Sequence, residues 1–140
     1  MKDIYDESIN QIEVIKCGTV ELEWGLNKYD YYIVSIRGNH PCAYIALEQD
    51  DVLYGRDIED ELPLVVHGGI TYCQKGVQFN GVEDNRWIIG WDYAHAGDFT
   101  RMLLESDNWG DETGKKYSIG EIMKDIFEMA KFLNEVNSIM

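Results

Sequence analysis

Five side chains with metal-ligand or acid–base chemistry stand out by position: Cys42, His67, Asp92, His95 and Asp98. His67 follows the apolar run Leu64-Val-Val66 and precedes Gly68-Gly69. Asp92, His95 and Asp98 follow Trp87-Ile-Ile-Gly-Trp91. Two of the three histidines therefore sit where apolar strands meet glycine-bearing turns. Zinc takes cysteine thiolate, imidazole and carboxylate in sets of four. Asp92 and His95, three apart across a turn, are placed to face one cavity, with His67 and Cys42 arriving from neighbouring strands. Asp98 is then a fifth ligand or a group that orients an imidazole. The same positions also have ordinary uses, Asp92 as an Asx-turn residue and Asp98 as a helix N-cap before Phe99.

A hydrolytic reading uses the same residues differently. His67, His95 and Asp92 would bind zinc and leave a position open for water, and Asp98 would be the general base. No hydrolase signature accompanies it, and Gly68-Gly69 is too short for a phosphate cradle. A cysteine–histidine dyad, Cys42 or Cys73 with His67 or His40, is disfavoured because acidic surroundings raise a thiol pKa. A small-ligand binding module without metal is the plainest alternative.

The elements that must position these residues follow from patterning. Val14–Cys17 and Thr19–Trp24 are β-like patches with Gly18 as a bulge or turn between them. Tyr31–Ile36 is a β-branched and aromatic strand. Arg37–Pro41 is a turn, and Cys42–Leu47 is apolar enough to be buried on both faces. Pro63–Tyr72 reads as a strand broken at Gly68-Gly69, Cys73–Asn85 as a loop and Trp87–Asp92 as a strand. The first dozen residues are a short helix or an ordered arm. Ser118-Ile-Gly-Glu121 is a capping box. Ile122, Ile126, Met129, Leu133 and Val136 then recur at helical spacing, with Lys124, Asp125, Glu128 and Lys131 on the wet face. The expectation is one α+β domain over 1–140, a mostly antiparallel sheet packed by a C-terminal amphipathic helix, with long acidic loops.

Twenty-six acids against twelve bases give a formal charge of −14. Such a chain repels nucleic acid and anionic membranes and is drawn to basic surfaces. Glu48–Glu61 holds seven acids and one base, anchored by Val52, Leu53 and Tyr54. Asp50, Asp51, Asp57, Glu59, Asp60 and Glu61, with Tyr54, make it the first candidate partner-binding loop. Phe99–Thr113 is a second acidic loop, with Trp109 as an aromatic anchor. Three cysteines without close pairs, no apolar signal core and no apolar run of about 20 residues point to a reducing cytoplasm.

Gly38-Asn-His-Pro-Cys-Ala-Tyr44, Leu53-Tyr-Gly55, Val66-His-Gly-Gly-Ile-Thr-Tyr72 and Trp87-Ile-Ile-Gly-Trp-Asp-Tyr-Ala-His-Ala-Gly-Asp98 resemble a family of small proteins common in phages, prophages and other bacterial mobile elements. The family is in turn similar to a zinc-containing phage anti-CRISPR protein that acts on a type II effector. The resemblance covers Arg37 to Asp98, under half the chain. It implies a structural zinc ion, a protein partner in the host cytoplasm (a type II CRISPR effector nuclease) and inhibition by blocking DNA loading, without direct nucleic-acid binding. The chain departs at Tyr93, where the family is expected to carry cysteine. If that cysteine is a ligand, its replacement removes one donor.

Overall fold

A computed structural model describes residues 3–23, 28–58, 66–95, 98–99 and 114–139. Five strands and one helix make an α+β fold: β1 (Ile12–Glu21), β2 (Lys28–Ile36), β3 (His40–Leu47), β4 (Tyr72–Phe79), β5 (Val82–Asp92) and α1 (Ile119–Ile139). The sheet order is β1-β2-β3-β5-β4, and every neighbouring pair is antiparallel. The central strands carry the chain's densest apolar runs, and Ile33, Val34, Ala43, Ile45, Leu47, Ile88 and Ile89 are wholly buried.

Side chains alternate across the pleat and divide the core in two. On one face Tyr29, Tyr31, Ile33, Ala43, Ile45, Leu47, Ile89, Trp91 and Tyr93 meet Ile122, Ile126, Met129 and Leu133 of α1. These helix positions recur every three or four residues and form the buried stripe that helical spacing predicts. On the other face Val34, Cys42, Ala46, Val77, Phe79 and Ile88 pack with Tyr32, Tyr44 and Tyr72.

The second face is buried because the sheet curls over it. Tyr32 on β2 and Phe79 on β4 are separated by two strands, which in a flat sheet means about 14 Å at 4.7–4.9 Å per strand. Their ring centroids lie 5.6 Å apart. Tyr44 also tilts against Phe79 at 5.1 Å. At the rim the two edge strands meet, where the Asn80 amide donates to the Ile12 carbonyl at 3.2 Å. Right-handed twist with bulges in both edge strands, at Val14/Lys16 and Lys75/Val77, supplies the curvature.

Four expectations change. Of residues 73–85, read as loop, 73–79 lie in β4 and 82–85 begin β5, with Asn80-Gly81 turning the chain between them. Residues 66–71, read as strand, are turn and irregular structure, while 63–65 lie outside the described residues. Gly18 is neither turn nor bulge, because β1 runs through it, paired with Tyr31. His40 and Pro41, read as part of the turn, belong to β3, opposite Ile36 and Ser35. The N-terminal segment is an ordered arm, with Ile4, Tyr5 and Ile9 buried in it.

Candidate functional site

The site forms at the end of β5, where the strand leaves the sheet at Asp92. Asp92 closes an Asx turn, its Oδ1 accepting the Ala94 amide at 3.1 Å, and Thr71 Oγ1 donates to Oδ2 at 3.0 Å. The chain then reverses so that Asp98 returns over His95. Phe99 anchors the far side in the core, edge-on to Tyr5 at 5.3 Å. The Phe99 amide donates to the Lys115 carbonyl at 2.8 Å. A Cβ on Gly114 would collide with the Asp98 backbone, so only glycine permits this approach.

Asp98, 3% exposed, is the hub. Its Oδ2 accepts from His67 Nε2 at 2.7 Å and from the His95 amide at 3.0 Å. In the neutral ring, a proton on Nε2 facing the carboxylate leaves Nδ1 as an acceptor, and Tyr117 Oη stands 3.4 Å from it. The imidazole stacks on Tyr93, 5.1 Å between centroids and 2° between planes, and tilts against Tyr117 at 4.9 Å. About a quarter of the His67 side chain remains exposed.

Tyr93 is itself held. Trp91 Nε1 donates to its oxygen at 3.0 Å, and that hydroxyl donates to Asp125 Oδ2 at 2.6 Å. Burial, then the Asp125 carboxylate, drives the phenol pKa far above its ordinary value. Burial, then Asp98, likewise raises that of Tyr117.

The five residues singled out by sequence fall into two groups. His67 and Asp98 touch directly on the helix side. Cys42 and Asp92 are cross-strand partners on the opposite face, by the parity of β3 and β5. His95 lies between: its ring is 5.4 Å from that of His67, and its Nε2 is 3.4 Å from Asp92 Oδ1 without hydrogen-bond geometry. That nitrogen is turned in against Gly68, whose φ of +71° a side chain rarely adopts and whose Cβ would overlap the imidazole. Among the described residues no three His, Cys, Asp or Glu side chains converge as a metal site would need. As placed, Asp98 orients the His67 imidazole. At Tyr93, where the resembling family is expected to carry cysteine, the ring packs under His67 and offers no soft donor.

Cys42 is 7% exposed, with His40 Nδ1 3.9 Å from its sulfur. Burial first, then Asp92, pushes the thiol up to about 12, so a thiolate nucleophile is not populated near neutrality.

The acidic loop is more structural than its composition suggests. Leu53 and Ile58 are buried, and Tyr54 packs on Trp87 at 6.1 Å. Asp51 accepts from the Leu53 amide at 2.9 Å and from Asn137 Nδ2 at 3.1 Å, tying the loop to α1. Asp50 and Asp57 face outward. Glu59, Asp60, Glu61 and Trp109 lie outside the described residues.

Sequence reasoning passed over three participants. Tyr117 precedes the N-cap Ser118 and belongs to the hydrophobic-staple position, which was the available signal. Asp125, assigned to the wet face, is bound by Tyr93. Arg86 is clamped by Asp84 at 3.0 and 2.7 Å, Asp30 at 3.0 Å and Glu48 at 2.5 Å, and nothing local in the sequence announces that convergence.

Compared with protein-family models, curated proteins and solved structures, this chain finds no match.

Proposed function

We propose that this chain is a non-catalytic acidic binding protein that occupies the basic nucleic-acid channel of a partner protein. The partner implied by the resemblance is a type II CRISPR effector nuclease, and the effect is to block loading of target DNA. The observation that carries the reading is how charge is distributed. Four of the twelve cations are engaged locally: Arg86 is enclosed by three carboxylates, and Lys28, Lys115 and Lys131 each lie beside a glutamate. Glu23, Asp50, Glu83 and Glu135 meanwhile face solvent on a chain of formal charge −14. Such a surface is steered toward a channel that otherwise holds phosphate. Zinc enters through the resemblance and the donor chemistry; elemental analysis of dialysed protein tests it separately, and stoichiometric zinc would require the His67 and Cys42 groups to close up.

The test is target cleavage by a guide-loaded type II effector. Protein added before the DNA should inhibit, protein added after it should not, and potency should fall steeply with salt. Inhibition indifferent to salt, or none, ends this reading.

One observation favours a second reading, a small hydrolase: the His67–Asp98 pair with His67 partly exposed. Its test is turnover of generic ester and phosphodiester substrates, abolished by His67→Ala.

A further inference from the structure

The two edge strands of the sheet are not alike. The β4 edge is blunted: its ladder is bulged at Lys75/Val77, the Tyr72 hydroxyl donates to the Gly76 carbonyl at 2.6 Å, and Gln74 Nε2 donates to that hydroxyl at 2.8 Å. On β1 the run from Lys16 to Thr19 is exposed at every residue.

Register fixes which way the β1 backbone points. The Arg37 amide donates to the Gln11 carbonyl at 3.2 Å, and Pro41, which has no amide proton, stands opposite Ser35. Hydrogen-bonded and non-hydrogen-bonded pairs alternate along an antiparallel ladder. Ser35, Ile33, Tyr31 and Tyr29 of β2 therefore bond toward β1, the last two to Gly18 and Val20. Cys17 and Thr19 turn their amides and carbonyls the other way, off the sheet. Among the described residues no backbone group meets them. A cavity of about 250 Å³ lies beside this edge. Cys17 and Thr19 line it together with Tyr32 and Asp30, their cross-strand partners. Its charged group, Asp30, is 41% exposed at the side chain and accepts from Thr19 Oγ1 and from Arg86.

We propose that β1 takes up an extended basic segment of a partner protein as a sixth strand of the sheet. The main chain of that segment pairs with the outward groups of Cys17 and Thr19. Its alternate side chains then fall on the cavity side, where a lysine or arginine meets the accessible Asp30 carboxylate. Charge selects the occupant: two copies of this chain would each bring −14 to the seam, whereas a basic strand is attracted to it. The inference rests on the binding-protein reading and adds how the partner is gripped.

The test is fluorescence anisotropy with a fluorescein-labelled Val-Arg-Thr-Arg-Val-Arg peptide, its counterpart with glutamate in place of arginine, and two forms N-methylated at alternate residues. The arginine peptide should bind and the glutamate peptide should not. A strand pairs through one edge, so one N-methylation pattern should abolish binding and the other spare it. Bound peptide should also shield the exposed Cys17 thiol of the native chain from iodoacetamide. Cys17→Pro removes an outward amide from an edge strand and should weaken binding about tenfold with the circular dichroism spectrum unchanged; Cys17→Val should not. Indifference to both N-methylation patterns, or a Cys17 thiol that reacts equally fast with and without peptide, would overturn the edge. A dimeric free protein with Cys17 already shielded would make a second copy the occupant and overturn the basic segment. Peptide binding at the edge without effector inhibition would sustain the edge while ending the effector reading. Effector inhibition untouched by Cys17→Pro would do the reverse.

Discussion

His95 and Asp98 hold each other from both ends: the His95 amide donates to the Asp98 carboxylate at 3.0 Å, and the Asp98 amide donates back to the His95 carbonyl at 2.9 Å. The same carboxylate oxygen receives His67, so one buried side chain fixes both the turn and the imidazole. Asp98→Ala removes the acceptor from two donors at once. The expected loss is about 3 kcal/mol, seen as a lower urea midpoint with unchanged slope. A loss below about 1 kcal/mol would mean that water replaces Asp98 without penalty.

Asp84 sets an acid limit. The hydrogen bonds from Arg86 outweigh the cost of burial and bring the Asp84 pKa down from 3.8 to about 2. A folded pKa below the unfolded one means that the unfolded chain takes up the proton first as pH falls. The contribution, about 2 kcal/mol, is complete above about pH 4 and is lost as pH falls through about 2. Asp84→Asn should be less stable than the native chain at pH 6 and close to it near pH 2. Parallel stability profiles for the two proteins would contradict this.

Tyrosines set the alkaline limit. Burial raises the phenols of Tyr5, Tyr29 and Tyr32 from 10.0 to about 12, and those of Tyr44 and Tyr93 further. Here the unfolded chain loses its protons first, so stability declines once pH passes about 10. Phenolate absorbance at 295 nm should rise in two stages, the second coinciding with loss of the sheet signal in circular dichroism. A single smooth titration near pH 10 with the fold intact would show these phenols to be accessible.

The start of α1 is reciprocally capped. Ser118 Oγ accepts the Glu121 amide at 3.1 Å, and Glu121 Oε1 accepts the Ser118 amide at 3.0 Å. Ser118→Ala should cost about 1 kcal/mol in urea denaturation. Because Tyr117 is the preceding residue, the variant should also change the fluorescence or NMR signature of the Tyr117–His67 contact; an unperturbed His67 ring signal would separate cap from site.

What the sequence discloses depends on how strongly each residue's surroundings are local. β2, β3, β5 and α1 are legible because β-branched runs and a helical stripe carry their own period. β4 was not, since Gln74, Lys75, Gly76 and Gln78 belong to a polar edge strand; the clue was Asn80-Gly81 between Phe79 and Val82, a strong hairpin signal. At the site, the meeting of His67, His95 and Asp98 follows from their places at chain reversals. The separation of Cys42 from His67 does not, because it is set by strand parity and by the side to which α1 packs. Tyr117 reaches His67 across 50 positions of chain, a distance that no local pattern bridges.

The strand order carries a kinetic consequence. β1–β2–β3 is a meander and β4–β5 a hairpin, each built from strands that follow one another closely in sequence, but β3 and β5 pair across residues 48–71 and β4. Loop closure makes that central seam the expensive step, while both outer units form from neighbours in sequence. Folding should therefore be limited by docking the hairpin onto the meander. Truncations at the seam, Ile45→Val and Ile89→Val, should slow refolding. Val82→Ala at the hairpin tip should be formed early and give a high φ-value if the hairpin is in place at the barrier. The residues wholly buried at the middle of the sheet are then the ones that decide how fast this chain becomes a protein at all.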